Sequence, residues 1–549
     1  MSSIVDNDDL NLEVLGYKPS FKREFSNLAT ISFAFSIMGL CSSVATTFNT
    51  PLLLGGPASV TWCWILGSCM CFTLGSSIAE IVSSFPTCGG LYTASAQLCP
   101  PSHRPVVGWI VGWLNILGQV AGVSSTEFGL ANMIWAAVSI SSPTFVLTPG
   151  KTVGLFTGLL IVHGLLNSLA TKHLAFITRG FVFVNLGTTF IIIIVLLATT
   201  PRAEMHAADY VFGPQGFINE TGGWNNGIAF LLGLLSVQWT DYDATAHISE
   251  EVRKAAYAAP TAIFIAVIGT GSIGWILNIV LVLCSGPIED LPGVSGSAFL
   301  QIMVLRMGVP GALFIWASLI CSLIFVCLTA FFVAQTALQA CSRTVYAFSR
   351  DHGLPDSGFF GHISKSTQTP LRAIWFTTIL SILPGLLDLA SPIAANAIFA
   401  LTAMALDLSY IIPIFLRRLY AHHPEVHFQP GPFYMGGGLL GWAANITCIT
   451  WTLFVVVIFS LPTVFPVTPE NMNYASVITV GVIVLSGDAQ LWSCSAHRHY
   501  HGPISNLDAE TKGRLGLEKG YALRDSFTDG HDQSDEGKKV DASTSVVVA

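Results

Sequence analysis

The chain has 549 residues, of which 52% are hydrophobic and only 10% charged, against about 25% charged in an ordinary soluble domain. Too little polar surface remains to cover so large an apolar core in water, which excludes a soluble globular protein. The formal net charge of −8 comes without any Lys/Arg-rich block, so nucleic acid is not an expected partner.

Charge is absent from residues 25–79, 255–288, 310–342 and 428–469. Runs of this length read as transmembrane helices. In chain order the polar breaks delimit twelve of them, spans 1 to 12: 27–50, 57–83, 106–137, 152–170, 173–199, 225–247, 258–284, 309–342, 371–389, 393–416, 436–461 and 474–492. The long connection 286–310 has room for a short surface helix. Residues 1–24 and 493–549 are polar and lack the apolar content for a core, so each is expected to be a tail, the second disordered. The expected class is an all-α polytopic membrane protein, with the bilayer as its solvent and no removable signal peptide.

Lys and Arg fix the expected orientation. With both termini cytoplasmic, 21 of the 24 basic residues fall inside and only Lys151, Arg202 and Arg306 outside. The same arrangement places Asn219-Glu-Thr221, a glycosylation sequon, in the outer loop after span 5.

Spans 1 and 6 look interrupted. In span 1, Gly39 sits among Ser36, Ser42 and Ser43, where small residues let the backbone unwind; the same residues also suit close helix packing. Span 6 opens as an apolar helix and breaks at Trp239-Thr-Asp-Tyr-Asp243. Asp241 and Asp243 stand roughly 14 to 16 residues into the run, past mid-bilayer at about 1.5 Å per residue. An ionised group at that depth costs at least about 2.5–3.5 kcal/mol, so such residues usually face a pathway. Interrupted helices at the same place in two groups of five, spans 1–5 and 6–10, point to an inverted-repeat carrier. Glu127, deep in span 3, has three open readings: amine ligand, proton carrier, or hydrogen-bond partner of a neighbouring helix. His163 and His247 read as structural hydrogen-bonders.

The twelve cysteines are scattered without CxxC pairs, and no HExxH or other metal motif is present. No enzyme chemistry, cofactor or metal is therefore expected.

Four ordered motifs carry a resemblance. Residues 85–96, Phe-Pro-Thr-Cys-Gly-Gly-Leu-Tyr-Thr-Ala-Ser-Ala, resemble the Pro-x-x-Gly-Gly-x-Tyr motif of the amino acid–polyamine–organocation (APC) superfamily. Gly55-Gly-Pro-Ala58, Ser249-Glu-Glu-Val-Arg253 with Pro260, and residues 342–355 with Thr369-Pro370 are similar to its other loop segments. Glu127-Phe-Gly-Leu-Ala-Asn132 and residues 239–251 resemble the fungal amino acid/choline transporter branch, and the run 41–58 its GABA-permease-like members. The resemblance implies a LeuT-type fold: a 5+5 inverted repeat (25–200 and 225–420) plus two C-terminal helices (436–492). It implies a permease, in the plasma membrane, importing GABA or another small zwitterionic amine by alternating access. Ser36, Met38, Gly39, Cys41 and Ser42 would cradle the carboxylate, Trp239 would close the pocket, and Thr240, Asp241, Tyr242 and Asp243, with Glu127, would meet the amine or a coupled proton.

Two departures accompany it. The stretch between Trp239 and Asp241 is about two residues short, which leaves open whether Asp241 or Asp243 faces the solute. Asn185 stands where some relatives carry a coupling Lys, leaving Glu127 or Asp243 as the alternative coupling groups. A choline or polyamine carrier and a non-transporting amino-acid sensor are the competing readings.

Overall fold

The computed structural model describes residues 7–142, 144–237, 240–317, 326–390, 392–426, 428–469, 471–487, 500–503, 505–507 and 511. They belong to two units, Met1–Lys18 with Ile504–Ala549, and Pro19–Pro503. In the smaller, the helix Asn7–Val14 leads to Gly16, whose carbonyl accepts the Asn506 N–H at 3.1 Å. Of the expected C-terminal tail, 493–499, 504, 508–510 and 512–549 lie outside the described residues. Tyr500, at the end of the larger unit, is buried with its ring 5.7 Å from those of Trp109 and Phe348.

The regular structure among the larger unit's described residues is helical, with one isolated parallel bridge between Phe25 and Val252. A bilayer interior offers no water to the backbone, so each crossing segment must satisfy its own N–H and C=O groups, and a helix does so internally. Ten helices here are long and apolar enough to cross. Span 2 is Asn49–Ser84, span 3 Arg104–Ser141, span 4 Pro149–Asn167, span 5 Thr171–Thr199 and span 7 Ala255–Leu283. Span 9 is Leu371–Leu389 and span 11 Leu439–Ser460. Span 10 runs over Pro392–Leu419.

Span 8 begins with Ala298–Ala317, bent where Gly308 takes φ 71° ahead of Pro310, and resumes at Val326–Arg350. The helix before the bend occupies the long connection. Besides span 1, which is two helices, two of the expected twelve do not reach crossing length as continuous helices among the described residues. Span 6 is broken, and span 12 is described as the 13-residue helix Ala475–Gly487.

The interior is polar by soluble-protein standards and the outside apolar. Ile161, Leu165, Phe183, Ile194, Phe314 and Val457 are exposed, while Thr188, Asn185, Asn278 and Gln339 are buried. Small residues allow close approach: spans 2 and 7 meet where Gly274 receives Trp64, whose Nε1 donates to the Gly271 carbonyl at 3.0 Å.

One end of the bundle gathers arginines. There Arg343 Nε donates to Glu251 at 2.7 Å and Arg350 Nη1 to Glu250 at 3.1 Å. Arg23 Nη1 donates to the carbonyls of Ser249 and Val252, and Arg417 is paired with Glu80. At the opposite end Asn49 donates to the Gly296 carbonyl at 2.7 Å, and Arg306 to Glu204 at 2.5 Å.

Candidate functional site

Span 1 is two helices, Asn27–Met38 and Cys41–Thr47, joined through Gly39 and Leu40. Gly39 ends the first with φ 56° and ψ 100°, a left-handed φ that costs an L-residue about 1–2 kcal/mol. A Cβ there would also stand 2.7 Å from Val333 Cγ2 of span 8. Both facts require glycine. Gly39→Ala is expected to lower kcat/KM for solute uptake by about tenfold, in line with about 1.4 kcal/mol per decade. Initial uptake rates at matched protein density check this; adding Val333→Ala should relieve the crowding but not the backbone strain.

Span 6 descends as Asn226–Leu231 and a tighter turn to Ser236, opens, and re-forms as Ala244–His247. Asp241 takes φ 61°, a conformation that Asp tolerates better than most residues. The two broken spans run antiparallel. Phe25 pairs with Val252 at the arginine-rich end, and Thr47 Oγ1 donates to the Ser236 carbonyl at 3.5 Å further along. That register sets Gly39 opposite roughly residues 240–244, so the two breaks lie side by side as expected of a discontinuous-helix site.

The expected residues fall into distinct places. Ser36 and Ser42 are buried, and neither hydroxyl has a hydrogen-bond partner among the described residues. Met38 and Cys41 are buried beside them, the Met38 carbonyl accepting the Ser43 hydroxyl at 2.9 Å. Trp239 lies outside the described residues. Thr240 and Asp241 are half-buried, with Thr240 Oγ1 donating to Asp241 Oδ2 at 3.1 Å. Asp243 is wholly buried, and three side chains converge on it. Asn115 of span 3 donates to Oδ2 at 2.7 Å, His247 Nε2 lies 2.9 Å from Oδ2, and Tyr410 of span 10 donates to Oδ1 at 2.9 Å. The two aspartates therefore differ in kind: Asp243 is tied into the scaffold by three side chains, while the half-buried Asp241 accepts the hydroxyl of its neighbour Thr240. Tyr242 turns away, its ring meeting Gly75 of span 2 and the edge of Tyr410.

Glu127 is buried and paired with His163 of span 4. Gly129, two residues on and roughly opposite around the helix, is the residue that faces span 1, with Thr46 against it. Glu127 thus joins spans 3 and 4 and points away from the breaks. Glu127→Ala leaves the buried His163 ring without its partner, a loss of about 1–3 kcal/mol. The expected result is a fall of several degrees in Tm with KM little changed, read by thermal unfolding of detergent-solubilised protein alongside uptake kinetics. In span 5, Asn185 is buried, its Nδ2 donating to the Phe181 carbonyl and its Oδ1 unpartnered. Asn219 is in the loop after span 5, its Nδ2 donating to the Trp224 carbonyl and Asn226 Oδ1; a glycan on that nitrogen gives up one of these bonds.

Several polar groups around the breaks carry no signal that one sequence reveals. Gln119 lies one turn beyond Asn115 and Gln339 one turn before Arg343, so each shares a helix face with a residue that reaches span 6. Both amides are buried, and neither end of either has a partner. A buried unmet polar group costs about 1–3 kcal/mol, which marks these groups as suited to a polar solute.

The chain is similar over nearly its whole length to known carriers. It is 43% identical over 94% of its length to an uncharacterised amino-acid permease of Schizosaccharomyces pombe, covering 93% of that protein. It is 38% identical to amino-acid permease 2 of Neurospora crassa, covering 93% of this chain and 92% of that one. It is also 33% identical to the GABA-specific permease of Saccharomyces cerevisiae, covering 91% and 86%. Among solved structures, a manganese transporter of Eremococcus coleocola superposes with a TM-score of 0.51 at 13% identity, covering 88% of this chain and 95% of that one, which speaks to the fold alone. The fold is the expected LeuT-type one. The model of the amino acid permease family matches residues 25–484, and the chain belongs to that family: it is a multi-pass membrane permease, not an enzyme.

Proposed function

We propose that the protein imports a small zwitterionic amino acid, GABA or a close analogue, by alternating access between the five-helix groups 25–200 and 225–420. The observation that carries this reading is the pairing of half-buried Asp241 with the buried hydroxyls of Ser36 and Ser42, which have no hydrogen-bond partner among the described residues, across two adjacent helix breaks. Asp241 meets the ammonium group. The hydroxyls and freed backbone N–H groups of span 1 meet the carboxylate, with the Gln119 and Gln339 amides available to both. The similarity to a GABA-specific permease supports the same solute class. A choline or polyamine has no carboxylate to use the span 1 hydroxyls, which makes it the weaker reading.

The excess of Lys and Arg supports a cytoplasmic placement of the arginine-rich end, and the proposed membrane is the plasma membrane. The buried pairs Arg343–Glu251, Arg350–Glu250 and Arg417–Glu80 are made at that end, which supports reading the conformation described as closed to the cytoplasm. The test is uptake by purified protein in liposomes of labelled GABA, α-amino acids and choline, with and without a proton gradient. Uptake of GABA or another amino acid is expected. Choline uptake without amino-acid uptake would transfer the chain to the organocation reading, and no uptake of any solute would make it a sensor.

A further inference from the structure

We propose that Asp243 and His247 hold one proton between them and form the proton-loading site of the carrier, with His247 the residue that exchanges it; this rests on the permease reading above. The argument is one of donors and acceptors. His247 Nδ1 lies 3.0 Å from the Cys88 carbonyl. A carbonyl only accepts, so Nδ1 carries hydrogen. His247 Nε2 lies 2.9 Å from Asp243 Oδ2. Neutral imidazole with its hydrogen on Nδ1 presents a lone pair at Nε2, and an ionised carboxylate presents another. The contact therefore holds a proton, either as imidazolium with carboxylate or as imidazole with carboxylic acid. In both forms the pair is neutral overall, which suits two side chains that are wholly buried.

The surrounding bonds fix Asp243 in this role. Tyr410 accepts the Asp241 N–H at 2.9 Å, so its own hydroxyl hydrogen is directed to Asp243 Oδ1. Asn115 Nδ2 donates to Oδ2. Asp243 is thus saturated by three donors from spans 3, 6 and 10. The titratable groups around the pair are Asp241 and Tyr242 in span 6, Tyr410 and Asp407 in span 10, Cys341 in span 8, and Cys88 with Glu250 at the arginine-rich end.

Removal of the proton leaves two acceptors facing each other at hydrogen-bond distance and a net charge of −1 in a buried space. Relief requires the ring to move its hydrogen to Nε2 and release Cys88, or Asp243 to withdraw from His247. The first of these changes loosens Ala244–His247 from the linker before span 3. The same Cys88 donates its backbone N–H to Glu250 at 3.1 Å, and Glu250 is the partner of Arg350. Proton occupancy is in this way tied to closure of the arginine-rich end.

The experiment uses wild-type, His247→Gln and Asp243→Asn protein in liposomes, loaded with a pH-sensitive dye and offered labelled GABA or, where GABA is not carried, an equimolar labelled amino-acid mixture. Wild-type uptake is expected to rise at least about fivefold with an inward proton gradient and to acidify the lumen on addition of solute. In each variant the ratio of gradient-driven uptake to solute counterflow is expected to fall to about one, and the pH profile of counterflow to flatten. A variant that gives neither counterflow nor a monodisperse elution peak is replaced by His247→Asn, and the wild-type dye signal decides independently. Solute uptake by wild type without proton movement, or an undiminished ratio in both variants, overturns the proton site and leaves the permease reading standing. Absence of any uptake by wild type overturns the permease reading itself.

Discussion

Arg343→Ala is expected to cost the folded protein about 3–5 kcal/mol, because it leaves the Glu251 carboxylate buried without its cation. Both side chains of this pair are fully buried, with Nε and Oε1 2.7 Å apart. The pair joins span 8 to the turn after span 6, so its loss acts on both stability and conformation. Two readouts separate these. Tm of solubilised protein reports the first. Labelling of the buried thiol of Cys88 by a membrane-impermeant maleimide in inside-out vesicles reports the second, and a rise of about tenfold is expected as that end opens more often. The double replacement Arg343→Met with Glu251→Leu removes the lone charge and is expected to recover most of the Tm while labelling stays high. An Arg343→Ala protein with wild-type Tm and labelling would remove the pair from both roles.

Asp241→Asn is expected to lower amino-acid uptake by about a hundredfold or more. An ammonium about 4 Å from a carboxylate gains about 4 kcal/mol at an effective dielectric near 20, and the neutral amide forfeits most of it. The replacement preserves size and retains a hydrogen-bonding contact for Thr240, so misfolding is not the expected cause. Counterflow and gradient-driven uptake should fall together, which distinguishes Asp241 from Asp243, where the ratio of the two changes. Equilibrium binding of labelled solute to solubilised protein gives the affinity separately. Wild-type uptake by Asp241→Asn would move the amine to another group.

Much of the architecture was legible because a bilayer imposes a coarse rule: charge-free runs of about twenty residues become helices. The limits of spans 4, 5, 7 and 9 fall within a few residues of those expected from charge alone. The break in span 6 was visible because carboxylates interrupt an apolar run, and Gly39 because small residues cluster around it.

The rotation of each helix about its own axis was not legible. Glu127 and Asn115 are both polar residues deep in span 3, yet one faces span 4 and the other reaches Asp243. A single sequence reports depth along a span but not which neighbour the face meets. For the same reason Tyr410 and the amides of Gln119 and Gln339 gave no sign, and His247 read as a hydrogen-bonder without its partners, Cys88 and Asp243, being visible. The different settings of Asp241 and Asp243 follow from the left-handed turn at Asp241, which no local spacing reveals.

The ties at the arginine-rich end have a kinetic consequence. The Phe25–Val252 bridge, the Arg343–Glu251 and Arg350–Glu250 pairs and the Cys88 contacts all converge within one short stretch of chain, residues 247–252. Opening must release them almost together, before any replacement bonds to water form. Such a step has a high activation enthalpy, so its rate should fall steeply on cooling. Cold would therefore arrest the cycle with the solute site shut off from that end.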